Sequence, residues 1–305
     1  MSHKIWKLLL ILLVFHYTNG LATSYQLPSS NEALIGEVQY YSTSSGENVI
    51  TVAKQYDLGY NAIENANPHL NMARGFPSGS SLQIPTQHLI PNQPRQGIII
   101  NLPEMRMYYF KIGSNEVLTY PIGIGKIGKT IPITRTNITR KTKDPIWIPP
   151  QDIREFNLQQ GIVLPSIMPP GPDNPLGPYA IYMQIPTYLI HSTIFPESVG
   201  RRASFGCIRM YEFDIQTFFS SVHHGIPVVI INSPVKVAWQ KNYLYLEAHH
   251  PLEEHHDSFD TSLPGIVHLI SSFSKTNTSF IDWQLVSYVA KERDGLPHEV
   301  GFKIT

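Results

Sequence analysis

The sequence holds one cysteine, Cys207, within Ser204-Phe205-Gly206-Cys207-Ile208-Arg209-Met210, and a histidine, His191, sixteen positions before it. A lone thiol with a distant imidazole is the sequence outline of a cysteine nucleophile and its base, and the chemistry expected of it is acyl transfer. An ordinary thiol, with a pKa of about 8.5, is only a few per cent thiolate near neutrality. His191 therefore either takes the proton of Cys207 directly or forms an imidazolium–thiolate pair with it. Gly206 lets the backbone approach closely, so N–H groups near Gly206 and Cys207 are expected to form an oxyanion hole. Arg209, two residues beyond the thiol, would share its strand face and can hold a substrate carboxylate. Ser204 reads as a turn residue that supports the site through hydrogen bonds rather than as a nucleophile. The competing reading makes Cys207 an inert buried hydrophobe and Arg209 half of a structural ion pair.

Strands must position these residues. Of the 305 residues, 42% are hydrophobic and 25 are proline, and the strongest helical periodicity lies near the C-terminus, so strands and loops dominate. Residues 97–101, 105–110 and 115–122 are β-type runs with no long helical pattern between them, which predicts an antiparallel or mixed sheet. Residues 138–148 should continue it, and 149–178, rich in proline, should form an irregular lid or rim over a site. Residues 179–183 and 188–191 read as strands, which puts His191 at a strand end. A short helix over 211–223, a closing strand over 228–231, a hairpin over 235–247 and an amphipathic helix over 281–291 complete the pattern.

Length suggests two domains with a small third piece. Residues 36–89 read as strand, helix, helix, strand: apolar Val49, Val52, Ala53 and Tyr56 have helical spacing, and Pro68 closes a second helix over 60–66. Pro91 and Pro94 mark residues 90–96 as a semi-rigid linker. At the start, Lys4 and Lys7 precede an unbroken apolar run over 8–15 and the small residues Thr18, Asn19 and Gly20. That is the outline of a secretory signal over 1–22, and the run is well short of the ~20 residues that span a bilayer. Export is therefore expected, and in an oxidising compartment one cysteine cannot make an internal disulfide.

Several function classes are disfavoured. Lys+Arg and Asp+Glu both total 23, so nothing in the charge points to nucleic acid. Residues 123–130 satisfy a phosphate-loop pattern ending in Lys129 and Thr130, but Pro132 and its β-branched neighbours bar the helix that a nucleotide site needs. The tract of His249, His250, Glu253, Glu254, His255 and His256 contains Pro251 and reads as a solvated loop, so neither a metal nor another cofactor is expected.

His191-Ser192-Thr193, Pro196, Gly200 and the run from Ser204 to Met210 resemble the signature of the YkuD-type L,D-transpeptidases, over residues 97–232. Gly46-Glu47-Asn48, Ala66-Asn67-Pro68 and Leu82–Pro85 resemble a LysM peptidoglycan-binding module, and 171–175 with 120–125 resemble the enterobacterial-type branch that carries one. The resemblance implies a mainly β protein: a mixed β-sandwich catalytic domain, a small βααβ LysM domain before it and a small α+β extension over 233–305. It implies a periplasmic enzyme in which Cys207 attacks the diaminopimelate–D-alanine bond of a peptidoglycan stem tetrapeptide. The acyl group then passes to an amine of a second stem peptide or of an envelope protein such as an outer-membrane lipoprotein, and a carbapenem would acylate the same thiol. It also implies that a carbonyl of His191, Ser192 or a neighbour orients the imidazole. The sequence departs from the family pattern at Ser192, usually Gly, at Phe205, often His, and at Ile131 and Thr134, where a Thr and a Gly are usual. A non-catalytic wall-binding protein and a hydrolase of the same bond are the alternatives.

Overall fold

Three consecutive isoleucines, Ile98 to Ile100, run through the middle of the largest sheet. Ile98 and Ile100 enter one apolar cluster and Ile99 enters another on the opposite face, so both faces of this strand are covered. The computed structural model describes residues 23–29, 32–274 and 278–304. The signal-like segment 1–22 lies outside the described residues.

The sheet has nine strands in the order Thr23–Gln26, Glu116–Pro121, Arg106–Phe110, Gly97–Asn101, Pro227–Ile231, Thr134–Lys143, Tyr179–Met183, Leu189–Ser192 and Ile208–Met210. It is mixed: Gly97–Asn101 runs parallel to Pro227–Ile231, and Leu189–Ser192 runs parallel to Ile208–Met210. Thr134–Lys143 joins the two halves. Its first residues pair with Pro227–Ile231, its later ones pair with Tyr179–Met183, and the register slips between Ile138 and Arg140. Such an irregularity bends a strand and sharpens its twist. The halves consequently share one core, in which Ile98, Met107 and Tyr120 meet Ile181, Ile190 and Ile208. Helix Glu212–Ser221 covers it with Ile215 and Phe218.

Two expectations need correction. The strand expected over 138–148 begins earlier and ends at Lys143, where Asp144 takes a positive φ of 50°. Trp147 forms an isolated bridge to Met168 instead. The stretch over 149–178 is not wholly irregular, because Gln151–Gln159 is a helix. None of its residues is buried and no side chain caps it, so it carries no apolar period that a sequence could disclose.

Before the sheet, Gln39–Ser42 pairs antiparallel with Ser81–Ile84, and helices Val49–Gln55 and Tyr60–Ala66 lie between them around Val52, Leu58, Ile63 and Leu82. Asn48 opens the first helix with a reciprocal capping box to Thr51. Asn67 is buried and closes the second, its amide bonding Ile63 O and Gln83 O and its carbonyl accepting from Gln83 N. The linker over 90–96 is packed rather than suspended: Ile90 is buried, and Arg95 donates to the carbonyls of Pro28, Ser29 and Glu32. After the sheet, Val235–Gln240, Tyr243–Ala248, His298–Lys303 and Ser279–Ile281 form a four-stranded antiparallel sheet packed by helices Leu263–Ser274 and Trp283–Glu292.

Candidate active site

The parallel pairing of Leu189–Ser192 with Ile208–Met210 assembles the site. It sets His191 opposite Arg209, with Ile190 opposite Ile208. Cys207 immediately precedes this strand, and alternation puts it on the same face as Arg209 and His191. The sulfur sits within reach of the Leu189 amide, which donates to it. Sixteen residues of sequence separation are thereby reduced to a register offset of two: His191 lies opposite Arg209, and Cys207 is two residues before Arg209.

His191 is buried, and its Nδ1 lies 2.5 Å from Ser192 O. A carbonyl only accepts, so Nδ1 carries the proton and Nε2 keeps the lone pair a base requires. Burial, and then the charge of Arg209, lower the imidazole pKa to about 3, against the opposing pull of the Ser192 and Leu176 carbonyls. Burial raises the Cys207 thiol above its ordinary value, with the Leu189 amide and Arg209 working the other way. The resting pair at neutral pH is thus a neutral imidazole and a neutral thiol. The thiol donates to Thr187 O at 3.7 Å rather than to the imidazole. Thr187 has a φ of 72°, costly for a β-branched residue, directly beside the sulfur.

The turn before the thiol is fastened by Ser204, whose Oγ donates to Cys207 O at 2.6 Å and accepts from Gly206 N at 3.0 Å. That corrects one expectation: the Gly206 amide is already committed to Ser204 and does not point into an oxyanion hole. Gly206 is required for space. Its φ is 112°, and a Cβ there would stand 2.5 Å from the Tyr188 ring and 2.9 Å from Lys129 O. Ser192 contributes twice. Its carbonyl orients His191, and its hydroxyl donates to Leu176 O at 2.9 Å and accepts from Tyr179 N at 3.1 Å, anchoring the end of the proline-rich segment.

Arg209 has a buried Nε without a hydrogen-bond partner, and its guanidinium makes no ion pair among the described residues. Burial lowers its pKa, with the charges of Cys207 and Glu197 acting the other way. The Phe195 ring lies 5.9 Å from its guanidinium carbon. A partly buried cation lacking a partner is disposed to receive an anion.

Within the stretch expected to form a lid or rim, the sequence did not disclose helix Gln151–Gln159 or its contacts. Phe205 stacks edge-on against Phe156 of helix Gln151–Gln159, with centroids 5.2 Å apart, and Lys126 Nζ sits 3.7 Å from both rings. Lys129 pairs with Asp152 of the same helix at 2.7 Å. The glycine-rich run 123–130 is therefore a brace: its lysines hold the helix, and Thr130 and Arg202 both bond Glu254 of the C-terminal extension. With a phosphate loop rejected, the sequence reads this run as a plain turn, and nothing in it shows where its lysines reach.

Among the described residues, His88, Glu104 and Glu247 could reach a single metal ion. Lys236 Nζ already lies 3.0 Å from Glu104 and 2.6 Å from Glu247, so an ammonium occupies the position between the two carboxylates.

Residues 95–230 match the YkuD family, the L,D-transpeptidase catalytic domain. The probable L,D-transpeptidase YcfS of Escherichia coli K12 is 37% identical over 287 residues, covering 92% of this chain and 88% of the relative. This chain belongs to the YkuD L,D-transpeptidases. Two further members of that family are similar over nearly the whole length. ErfK/SrfK of Salmonella typhimurium LT2 is 35% identical over 295 residues (94% and 93% covered), and YbiS of Escherichia coli K12 is 34% identical over 283 residues (90% and 91%). The match of a YkuD L,D-transpeptidase at both ends of this chain means that the flanking segments, and not the catalytic domain alone, have counterparts in those relatives.

Proposed function

We propose that the enzyme cleaves the diaminopimelate–D-alanine bond of a peptidoglycan stem tetrapeptide by thioester exchange at Cys207. The observation that carries this reading is the Nδ1 bond of His191 to Ser192 O, which leaves Nε2 as the only basic nitrogen beside the thiol's strand. As Sγ attacks the carbonyl carbon, its proton passes to Nε2 and then to the departing amine, so D-alanine leaves and a thioester remains. An acceptor amine attacks the thioester, its proton returns through Nε2 to Sγ, and a new amide forms. Arg209 holds a substrate carboxylate. The acceptor is a second stem peptide or a lysine of an envelope protein, and export through the 1–22 segment with a LysM-like fold over 36–89 would bring the enzyme to the wall.

Carbapenem exposure followed by intact-mass measurement tests the nucleophile. One adduct is expected on the wild type and none on Cys207→Ala; an unmodified wild type would sink the reading. Muropeptides recovered after expression in a transpeptidase-deficient host identify the acceptor, and accumulation of free tripeptides alone would point to water and a hydrolase.

The charge states give a pH prediction. With His191 lowered to about 3 and the thiol raised, the base is competent at every pH above about 3 and no proton has to leave the pair first. Carbapenem acylation rates should therefore be flat across about pH 5 to 8, the window in which an ordinary histidine titrates. An acid limb with its midpoint near 6.5 would instead mark a histidine that titrates normally and must lose its proton before it can act as the base.

A further inference from the structure

The N-terminal helix Tyr60–Ala66 has no side-chain cap at Gly59. Its first amides are satisfied from the catalytic domain: Tyr60 N donates to Val199 O at 3.0 Å and Asn61 N to Gly200 O at 3.2 Å. The two segments touch backbone to backbone. A Cβ on Gly59 would stand 2.7 Å from Gly200 Cα, and one on Gly200 would stand 2.2 Å from Tyr60 N. The Arg201 guanidinium carbon lies 3.5 Å from the Tyr60 ring centroid. Nearby, Tyr211 OH donates to Leu58 O at 3.1 Å and Arg106 to Asp57 O at 3.3 Å, so the docking is firm on both sides of this contact.

The contacted loop, 193–201, connects the His191 strand to the strand that leads to Cys207. From it, Gly200 N donates to Ile122 O at 3.1 Å and Arg201 O accepts from Ile124 N at 3.0 Å. Gly123, between those two, exchanges both backbone hydrogen bonds with Arg209, at 2.8 and 2.9 Å, and a Cβ on it would collide with Ser198 O at 2.3 Å. Helix start, loop, Gly123 and Arg209 are thus four layers of backbone in direct contact. The same loop carries Phe195 and Glu197, the ring and the carboxylate nearest the Arg209 guanidinium.

We propose that Gly59 and Tyr60 are positioning residues of the transpeptidase: by fixing loop 193–201 they set the Arg209 guanidinium for the donor carboxylate. The N-terminal module then acts on catalysis directly, independently of any tether to the wall. This rests on the proposed roles of Cys207 and Arg209.

Gly59→Ala is the wedge that tests it. Gly59 has φ −86° and ψ 162°, a conformation open to alanine, so the backbone itself is not strained; the added Cβ meets Gly200 Cα at 2.7 Å and, within the module, the side-chain oxygen of Asn61 at 2.9 Å. With a soluble tetrapeptide donor, too small to need a tether, KM should rise about 10- to 100-fold, the scale of a small misplacement at a substrate clamp. The rate of Cys207 alkylation by uncharged iodoacetamide should stay within about twofold, since thiol and base are not displaced. Tyr60→Ala, which removes the ring and keeps the amide, should raise KM by about 3- to 10-fold, and Tyr60→Phe should restore it. A melting temperature for each variant identifies loss of fold, in which case the Tyr60 pair decides. Wild-type KM in a folded Gly59→Ala or Tyr60→Ala protein overturns the proposal. D-alanine release that survives in Cys207→Ala overturns the reading of the active site instead.

Discussion

Replacing His191 by alanine should slow acylation of Cys207 about 10²–10⁴-fold, the contribution of one positioned general base. The size follows from the thiol rather than from the histidine. Burial raises the Cys207 pKa, so the thiolate fraction at neutral pH falls below that of a free cysteine, and without an acceptor for the proton the nucleophile is almost wholly in its unreactive form. Among the described residues no other base stands in line: Arg209 is a cation, Ser204 is committed to the turn and Thr187 offers a carbonyl. The imidazole is also set in one tautomer by Ser192 O, which makes the loss specific to Nε2. Stopped-flow acylation by a carbapenem measures it, with a thermal melt to verify that the buried ring's removal leaves the fold intact. An alanine variant acylated within about threefold of wild type would remove His191 from the mechanism.

The candidate catalytic residues and some of their supports, Ser204 and a carbonyl beside His191, were legible in the sequence, while the pairing that brings them together was not. Cys207 stood out because it is the only thiol and sits between Gly206 and Ile208-Arg209, and His191 because a strand ends on it. Their juxtaposition depends on a parallel pairing across loop 193–201, which no local pattern encodes. Ser192 and Phe205 looked like departures from a family pattern, yet one orients the base and anchors the proline-rich segment, and the other packs under Phe156. Gly206 was expected to allow a close backbone approach beside an oxyanion hole; the approach is there, to Tyr188 and Lys129 O, while its amide is bonded to Ser204. Helix Gln151–Gln159 was hidden because it buries no face, and helix Leu263–Ser274 because Pro264 and Gly265 open it with loop-like residues. The consecutive arginines Arg201 and Arg202 reach in opposite directions, to Tyr60 and to Glu254, a division visible only once both flanking segments are in place.

Lys236→Met should cost about 3–5 kcal/mol of stability, the loss seen when one partner of a buried ion pair is removed. Lys236 bonds Glu104 at 3.0 Å, Glu247 at 2.6 Å and Leu89 O at 2.7 Å, and all three charged side chains are essentially sealed from water, at 3%, 2% and 0% exposure. Three segments meet there: Leu89 closes the N-terminal module, Glu104 lies in the catalytic domain, and Lys236 and Glu247 belong to the C-terminal sheet. Without the ammonium, two carboxylates would face each other in a medium that solvates neither, left with hydrogen bonds from Tyr108 OH and Asn101 Nδ2 to Glu104 and from Leu89 N and His249 Nε2 to Glu247. Replacing the set together, as Glu104→Gln/Lys236→Met/Glu247→Gln, should recover most of the loss, because the penalty comes from the uncompensated charge rather than from the missing bridge. The acid response separates the same idea in the wild type. Burial alone would raise the Glu104 pKa, but the Lys236 and His249 charges, the Tyr108 bond and the Arg106 charge outweigh it and leave it lowered. A carboxyl depressed on folding contributes stability that is present above its unfolded pKa of about 4.3 and is lost as pH falls through the folded value. Glu104→Gln should therefore be less stable than wild type at pH 7 and show a flatter loss below about pH 4. Urea midpoints at both pH values measure this, and a Lys236→Met loss under about 1 kcal/mol would mean that water reaches the cluster and screens it like a surface pair.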